Sequence, residues 1–238
     1  MAYKDLREWL KLVEEMGELK VVEGADWQEE LGILRYLAKK KNCEAPAVLF
    51  DKIKDYSPGH RVLCGMTGSR NRLALTMGID LKHAVSNGAL IKAVRDELKN
   101  MKMLPPKVVK NGPVMEFVHT GKDIDLFEFP APRWHMGDGG RYIGTWHCMI
   151  SRDPEDGWVN MGTYRTMIAN KNTLVTMTEP GRHVVSHREK YWAQGKPMPV
   201  VFCFGADPLL AQVAGMEIPY GVSEYDYAGG IKGEPIEV

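Results

Sequence analysis

The sequence predicts an α+β fold in two parts. Three observations carry this reading. Apolar residues recur at helical spacing through much of the first hundred residues, short β-rich runs dominate the remainder of the chain, and proline-containing breaks at Leu104-Pro105-Pro106 and Asn111-Gly112-Pro113 divide the two. A chain of 238 residues with 44% hydrophobic side chains can bury a sizeable core. Residues 1–112 are expected to form a small N-terminal α/β domain and residues 113–238 a second, mostly antiparallel one. Charge follows the same division mildly, with 20 basic and 15 acidic side chains before the break against 11 and 16 after it.

Each element has its own signal. Leu6, Trp9, Leu10, Val13 and Met16 share a helical face, Asp5 and Glu8 stand as a capping pair, and Gly17 marks the stop. Asp26 and Glu29 repeat the start signal before Leu31, Leu34, Leu37 and Ala38, and Lys39-Lys40-Lys41 suits the negative end of a helix. Strands are expected at 47–50 and 61–65, and a third helix at 89–99. Beyond the break, strands are expected at 114–119, 142–151, 158–168 and 174–177, with turns at Asp153-Pro154 and Asp156-Gly157. A helix over 181–193 and a strand over 200–204 complete an antiparallel sheet or barrel.

Composition excludes several classes of function. With 31 basic and 31 acidic side chains there is no excess charge to hold nucleic acid or an anionic membrane. Cys43, Cys64, Cys148 and Cys203 are scattered without a CxxC pair, against both a zinc ribbon and a disulfide scaffold. Neither a signal-peptide layout nor an apolar run of membrane-spanning length is present. The expectation is a soluble, cytoplasmic protein.

Chemistry-bearing side chains concentrate between Thr145 and Glu224. In an extended strand Thr163 and Arg165 share a face, and Asn160 joins them only if the chain bends near Met161-Gly162. Glu179-Pro180-Gly181-Arg182-His183 has the form of a turn opening a helix, whose unpaired amides attract phosphate. Tyr220 to Gly230 sets Glu224 and Asp226 among aromatics and glycines. Taken singly, each residue has an ordinary explanation: Asn160 bonding a turn, His183 on a helix surface, Glu224 paired with lysine, Arg165 a strand residue with a solvated head.

In combination, Asn160-Met161-Gly162-Thr163-Tyr164-Arg165, Gly181-Arg182-His183, Gly205-Ala206-Asp207-Pro208 and Ser223-Glu224-Tyr225-Asp226-Tyr227-Ala228-Gly229 closely resemble the UbiD-type decarboxylase family. Tyr3-Lys4-Asp5-Leu6-Arg7 and Leu126-Phe127-Glu128-Phe129-Pro130 extend the likeness over the whole chain. The resemblance implies that residues 113–238 form a split β-barrel of the flavin-reductase-like kind, incomplete at its C-terminus. It implies reversible decarboxylation of an aromatic, heteroaromatic or α,β-unsaturated acid, with release or uptake of CO2, using prenylated FMN made by a separate flavin prenyltransferase.

The same resemblance places ligands for Mn2+, with K+ sometimes nearby, at Asn160, His183 and Glu224, and His187 lies one helical turn beyond His183. An amide oxygen, an imidazole and a carboxylate suit such a cation. Flavin contacts are implied at Thr145, Thr163, Tyr164, Arg165, Met177, Thr178, Glu179, Arg182, Ala214 and Met216. Arg165 resembles the catalytic arginine, able to orient a carboxylate with two parallel hydrogen bonds. Family members are about twice this length by resemblance, which implies that the proton-donating acid and an oligomerising domain come from a C-terminal half or a second subunit. The alternative is a non-catalytic flavin-binding or regulatory subunit of a carboxylase or decarboxylase complex.

Overall fold

The structure, a computed structural model, describes residues 1–41 and 44–238; Cys43 lies outside the described residues. Helix α1 (Leu6–Glu15) begins where the Asp5 carboxylate accepts hydrogen bonds from the amides of Arg7 and Glu8, as the capping pair predicts. Its inward face buries Trp9 and Val13 completely. Strand β1 (Leu19–Glu23), helix α2 (Glu30–Lys41) and strand β2 (Ala47–Asp51) form a parallel crossover, and β3 (Val62–Cys64) adds antiparallel to β2. β2 lies at the centre of the sheet. Ala47 packs toward α1, while Val48 and Phe50 pack with Leu31 of α2, so a nearly all-apolar strand is buried on both faces.

Helices α3 (Arg70–Thr76) and α4 (Asn87–Lys99) come next, capped by the hydroxyls of Ser69 and Ser86. The buried Arg72 guanidinium pairs with Glu18 at 2.8 Å and donates to the Ala45 carbonyl at 2.7 Å, tying α3 to the sheet. A long connection then leads to β4 (Arg141–Gly144), β5 (Cys148–Arg152), β6 (Val159–Gly162), β7 (Thr166–Asn170) and β8 (Thr173–Thr176). Helix α5 (His183–Ala193), strand β9 (Val200–Cys203), helix α6 (Pro208–Ala214) and helix α7 (Glu224–Lys232) close the chain.

The architecture is α+β. Besides the first sheet, two antiparallel sheets run β4-β7-β8 and β6-β5-β9. Among the described residues the strands form three separate three-stranded sheets and no closed barrel. No described helix is long and apolar enough to cross a membrane.

Several sequence expectations are corrected. Residues 114–119 are not a strand: the chain makes a single tight turn, Pro113–Met115, and Val114, Phe117 and Val118 stay exposed. Apolar alternation there has no neighbouring sheet edge to bond. The expected strands at 142–151 and 158–168 each divide in two, because the chain passes from one sheet to the other at 145–147 and again at 163–165. β1, α3, α6 and α7 have no counterpart among the elements expected from the sequence.

Candidate functional site

The crossing at 163–165 builds a cleft. β6 ends at Gly162 in one sheet and β7 starts at Thr166 in the other, so Thr163, Tyr164 and Arg165 turn over the gap. Gly162 has a local reason: a Cβ there would meet the Tyr164 ring at 2.6 Å. The β5–β6 register runs unbroken from Arg152↔Val159 to Met149↔Gly162, so no bulge is needed. Asn160 and Arg165 reach one cleft because they lie in different segments of the chain.

The cleft holds about 620 Å³ and is lined by Asn160, Thr163, Tyr164, Arg165, Met177, Glu179, Arg182, His183, Ala214, Met216 and Glu224. Two expected residues lie elsewhere. Thr145 lines a second cavity of about 640 Å³ between the first sheet and β4. The Thr178 hydroxyl accepts a hydrogen bond from Arg188 at 3.0 Å.

At the buried end of the cleft, Asn160 is 2% exposed and its Oδ1 lies 3.2 Å from His183 Nδ1. At that separation the amide oxygen and Nδ1 are close enough to share a hydrogen bond or to converge on one cation. His183 opens α5, reached through a left-handed turn at Gly181 (φ +84°) that favours glycine. No side chain caps this helix, while the Val185 amide donates to the Arg182 carbonyl at 2.9 Å.

Glu224 arrives from the opposite side. Ser223 caps α7, and Glu224 is its first residue, 4% exposed. Its Oε2 accepts from the Met161 amide at 2.7 Å. Burial pushes its carboxyl up to about 7, opposed by backbone amides. A desolvated carboxylate beside an amide oxygen and an imidazole is a donor set that a hard divalent cation would compensate. Arg165, exposed at the open end, donates to the Met177 sulfur at 3.0 Å. The cleft therefore grades from a buried, oxygen-rich end to an open cationic one.

His187 is excluded from this cleft by geometry. It is fully buried, with Nδ1 3.0 Å from the Ser151 hydroxyl and Nε2 3.8 Å from Asp153. The Trp158 ring packs edge-on against both histidines, 5.0 Å from each. Sequence reasoning does not single out Trp158 or Tyr220. An aromatic at a strand start reads as core, and the only signal is the His183/His187 spacing of one turn on a helix.

The same residues fall inside a known sequence family. The profile of the 3-octaprenyl-4-hydroxybenzoate carboxy-lyase Rift-related domain matches residues 107–238, and that of the corresponding N-terminal domain matches residues 10–89. The chain belongs to the UbiD family. It is 38% identical over 201 residues to the pyrrole-2-carboxylic acid decarboxylase of Pseudomonas aeruginosa, covering 82% of this chain and 40% of that one. The closed form of Sedimentibacter hydroxybenzoicus vanillic acid decarboxylase superimposes with a TM-score of 0.89 at 31% identity, covering 100% of this chain and 50% of that one. An evolved dimeric form of the UbiD-class enzyme HmfF from Pelotomaculum thermopropionicum, in complex with prFMN, gives 0.83 at 26%, covering 99% and 52%. This UbiD-family chain thus spans about half the length of these relatives. Every residue lining the cleft falls within the Rift-related segment.

Proposed function

We propose that this chain is the cofactor-holding half of a reversible, non-oxidative decarboxylase acting on an aromatic, heteroaromatic or α,β-unsaturated carboxylic acid. In this reading Asn160, His183 and Glu224 would hold Mn2+, which would supply positive charge for the phosphate of prenylated FMN, with K+ as an accessory ion. One observation carries it. Three donors from β6, α5 and α7, distant in sequence, meet at one buried end of a cleft whose open end presents Arg165. The decarboxylase name of the Pseudomonas relative and the prFMN bound to the HmfF form support the same reading.

The chain's own residues divide the work. Asn160 and Glu224 supply oxygen ligands, and Glu224 gains most from a cation because burial already disfavours its charge. His183 offers a ring nitrogen. The uncapped start of α5, with Arg182, would receive the phosphate. Tyr164, Thr163 and Met177, which line the cleft, would contact the flavin. Arg165 binds the substrate carboxylate through two parallel N–H donors and stays charged throughout. When bound, the prenylated flavin supplies the electron-accepting chemistry that makes loss of CO2 feasible.

The sheets β4-β7-β8 and β6-β5-β9 are read as the two sides of a split barrel that further strands complete. A C-terminal half or second subunit, present in relatives twice as long, would bring those strands, the proton-donating acid and the oligomer contacts. Residues 1–112 and 113–238 are its two domains.

Co-production with a flavin prenyltransferase, then metal analysis and absorption spectroscopy, tests the cofactor site. Asn160→Ala and Glu224→Ala are expected to weaken Mn2+ retention by more than about a hundredfold, beyond the range for outer-shell partners. Retention of metal and flavin at parental levels in both variants sinks the assignment. Arg165→Ala is expected to keep the cofactor yet lower CO2 release about a hundredfold or more once the second half is added.

A further inference from the structure

We infer that Trp158 is a positioning residue for the metal site, holding the His183 imidazole in the orientation that sets Nδ1 3.2 Å from the Asn160 amide oxygen. The inference rests on the metal reading above and adds what that reading does not assign. Trp158 is the hub of a ring cluster. Its indole meets His183 at 5.0 Å and 64°, His187 at 5.0 Å and 89°, and Tyr220 at 4.5 Å and 57°. Tyr220 also meets His183 edge-on at 5.6 Å. Two aromatic rings therefore contact the imidazole, and its Nδ1 lies 3.2 Å from Asn160 Oδ1. A ring so enclosed cannot turn about its side-chain bonds without colliding with one of them.

The hub itself is anchored. The Asp153 amide donates to the Trp158 carbonyl at 2.8 Å, and the Trp158 amide donates to the Asp156 carboxylate at 2.8 Å, so the β5–β6 turn fixes its backbone. Also against the indole, His187 is held by Ser151, while the buried Asp153 carboxylate takes Lys190 Nζ at 2.7 Å. A charged, hydrogen-bonded block thus packs against Trp158 and leaves it one position. Metal-bound histidines are oriented by their outer neighbours, and loss of a hydrogen-bonded one typically costs ten- to a hundredfold in affinity; Trp158 acts on the same ring orientation through packing.

The test uses the intact chain and Mn2+ alone, with affinity from titration and pulsed electron paramagnetic resonance reading the nitrogen coupling of a bound imidazole. Trp158→Ala is expected to weaken Mn2+ about tenfold or more and to erase the imidazole coupling, while Trp158→Phe restores both to near the parent. Tyr220→Ala, at an exposed position that cannot unfold the chain, is expected to weaken binding about threefold. Unchanged affinity and coupling in Trp158→Ala overturn the inference. If Trp158→Ala fails to fold, Trp158→Leu, which removes the aromatic ring but keeps bulk, takes its place, and parental affinity and coupling in Trp158→Leu overturn the inference. A parent whose Mn2+ affinity is unaffected by His183→Ala overturns the metal reading itself, a result distinguishable from failure of the positioning role alone.

Discussion

Asn160, His183 and Glu224 are visible as residue types in the sequence, but not as neighbours: 64 positions separate the first from the last. Buried polar groups demand partners, and it is the cost of leaving them without any that turns three ordinary residues into a candidate site. His147 shows the same economy of burial with a consequence that pH exposes. It is 2% exposed, stacked on Phe204 at 5.0 Å and 3.2 Å from the Thr166 hydroxyl. Burial pulls its imidazole from 6.5 down to about 4. Between those values the unfolded chain carries a proton that the folded chain refuses, so stability is intact above about 6.5 and falls as the pH drops toward about 4. The total loss is roughly 3 kcal/mol. Urea unfolding at a series of pH values should show that slope in the parent and a flatter one in His147→Phe, which keeps the stacking. An equally steep slope in the variant would show that other groups are responsible.

At the scale of elements, α7 brings Glu224 to the cleft, although its sequence reads as a glycine-rich loop. Glycine is a poor helix former, so local propensity argues against a helix through Gly229-Gly230. Packing overrides it. A Cβ at Gly229 would meet the Leu104 carbonyl at 2.5 Å, and one at Gly230 the Lys102 carbonyl at 2.8 Å. The glycines let α7 lie against the connection near Leu104, whose amide donates to the Asp226 carbonyl at 3.0 Å. Gly229→Ala is therefore expected to destabilise by about 1–3 kcal/mol despite alanine's better propensity, because a backbone carbonyl has to move. It should also weaken Mn2+ binding, since α7 carries Glu224. Thermal unfolding and metal titration of this variant check both, and a stabilised Gly229→Ala would show that the contact relaxes freely.

On the scale of the whole molecule, Arg141 fastens the first region to the second. Its guanidinium lies 4.2 Å over Trp27, 5.5 Å over Tyr56 and 5.4 Å over Phe127. It donates to the Tyr56 hydroxyl and to the carbonyls of Ala131 at 2.8 Å and Phe129 at 3.1 Å. A parallel bridge between Gln28 and Arg133 runs alongside. Desolvated cation–π contacts and charge-assisted hydrogen bonds are each worth about 1–2 kcal/mol. Arg141→Ala is expected to lower stability by about 2 kcal/mol and to make the two regions unfold separately. Far-UV circular dichroism and tryptophan fluorescence, coincident in the parent, should then give different midpoints. Coincident, unshifted curves in the variant would remove Arg141 from this role.

By itself the sequence determined what short-range chemistry can determine. It named the starts of α1 and α5, the turns of the β5–β6 hairpin, the α+β class, and the residue types grouped around Asn160, Arg165, His183 and Glu224. Capping, turn preference and periodicity act over a few residues and leave their mark in the sequence. Only the tertiary structure decided that 158–168 is two strands in different sheets, that α7 forms, and that His183 faces the cleft while His187 turns into the core. Those outcomes depend on hydrogen bonds and packing between segments far apart in the chain, and no local pattern records which distant edge a strand will join or which histidine of α5 will be buried.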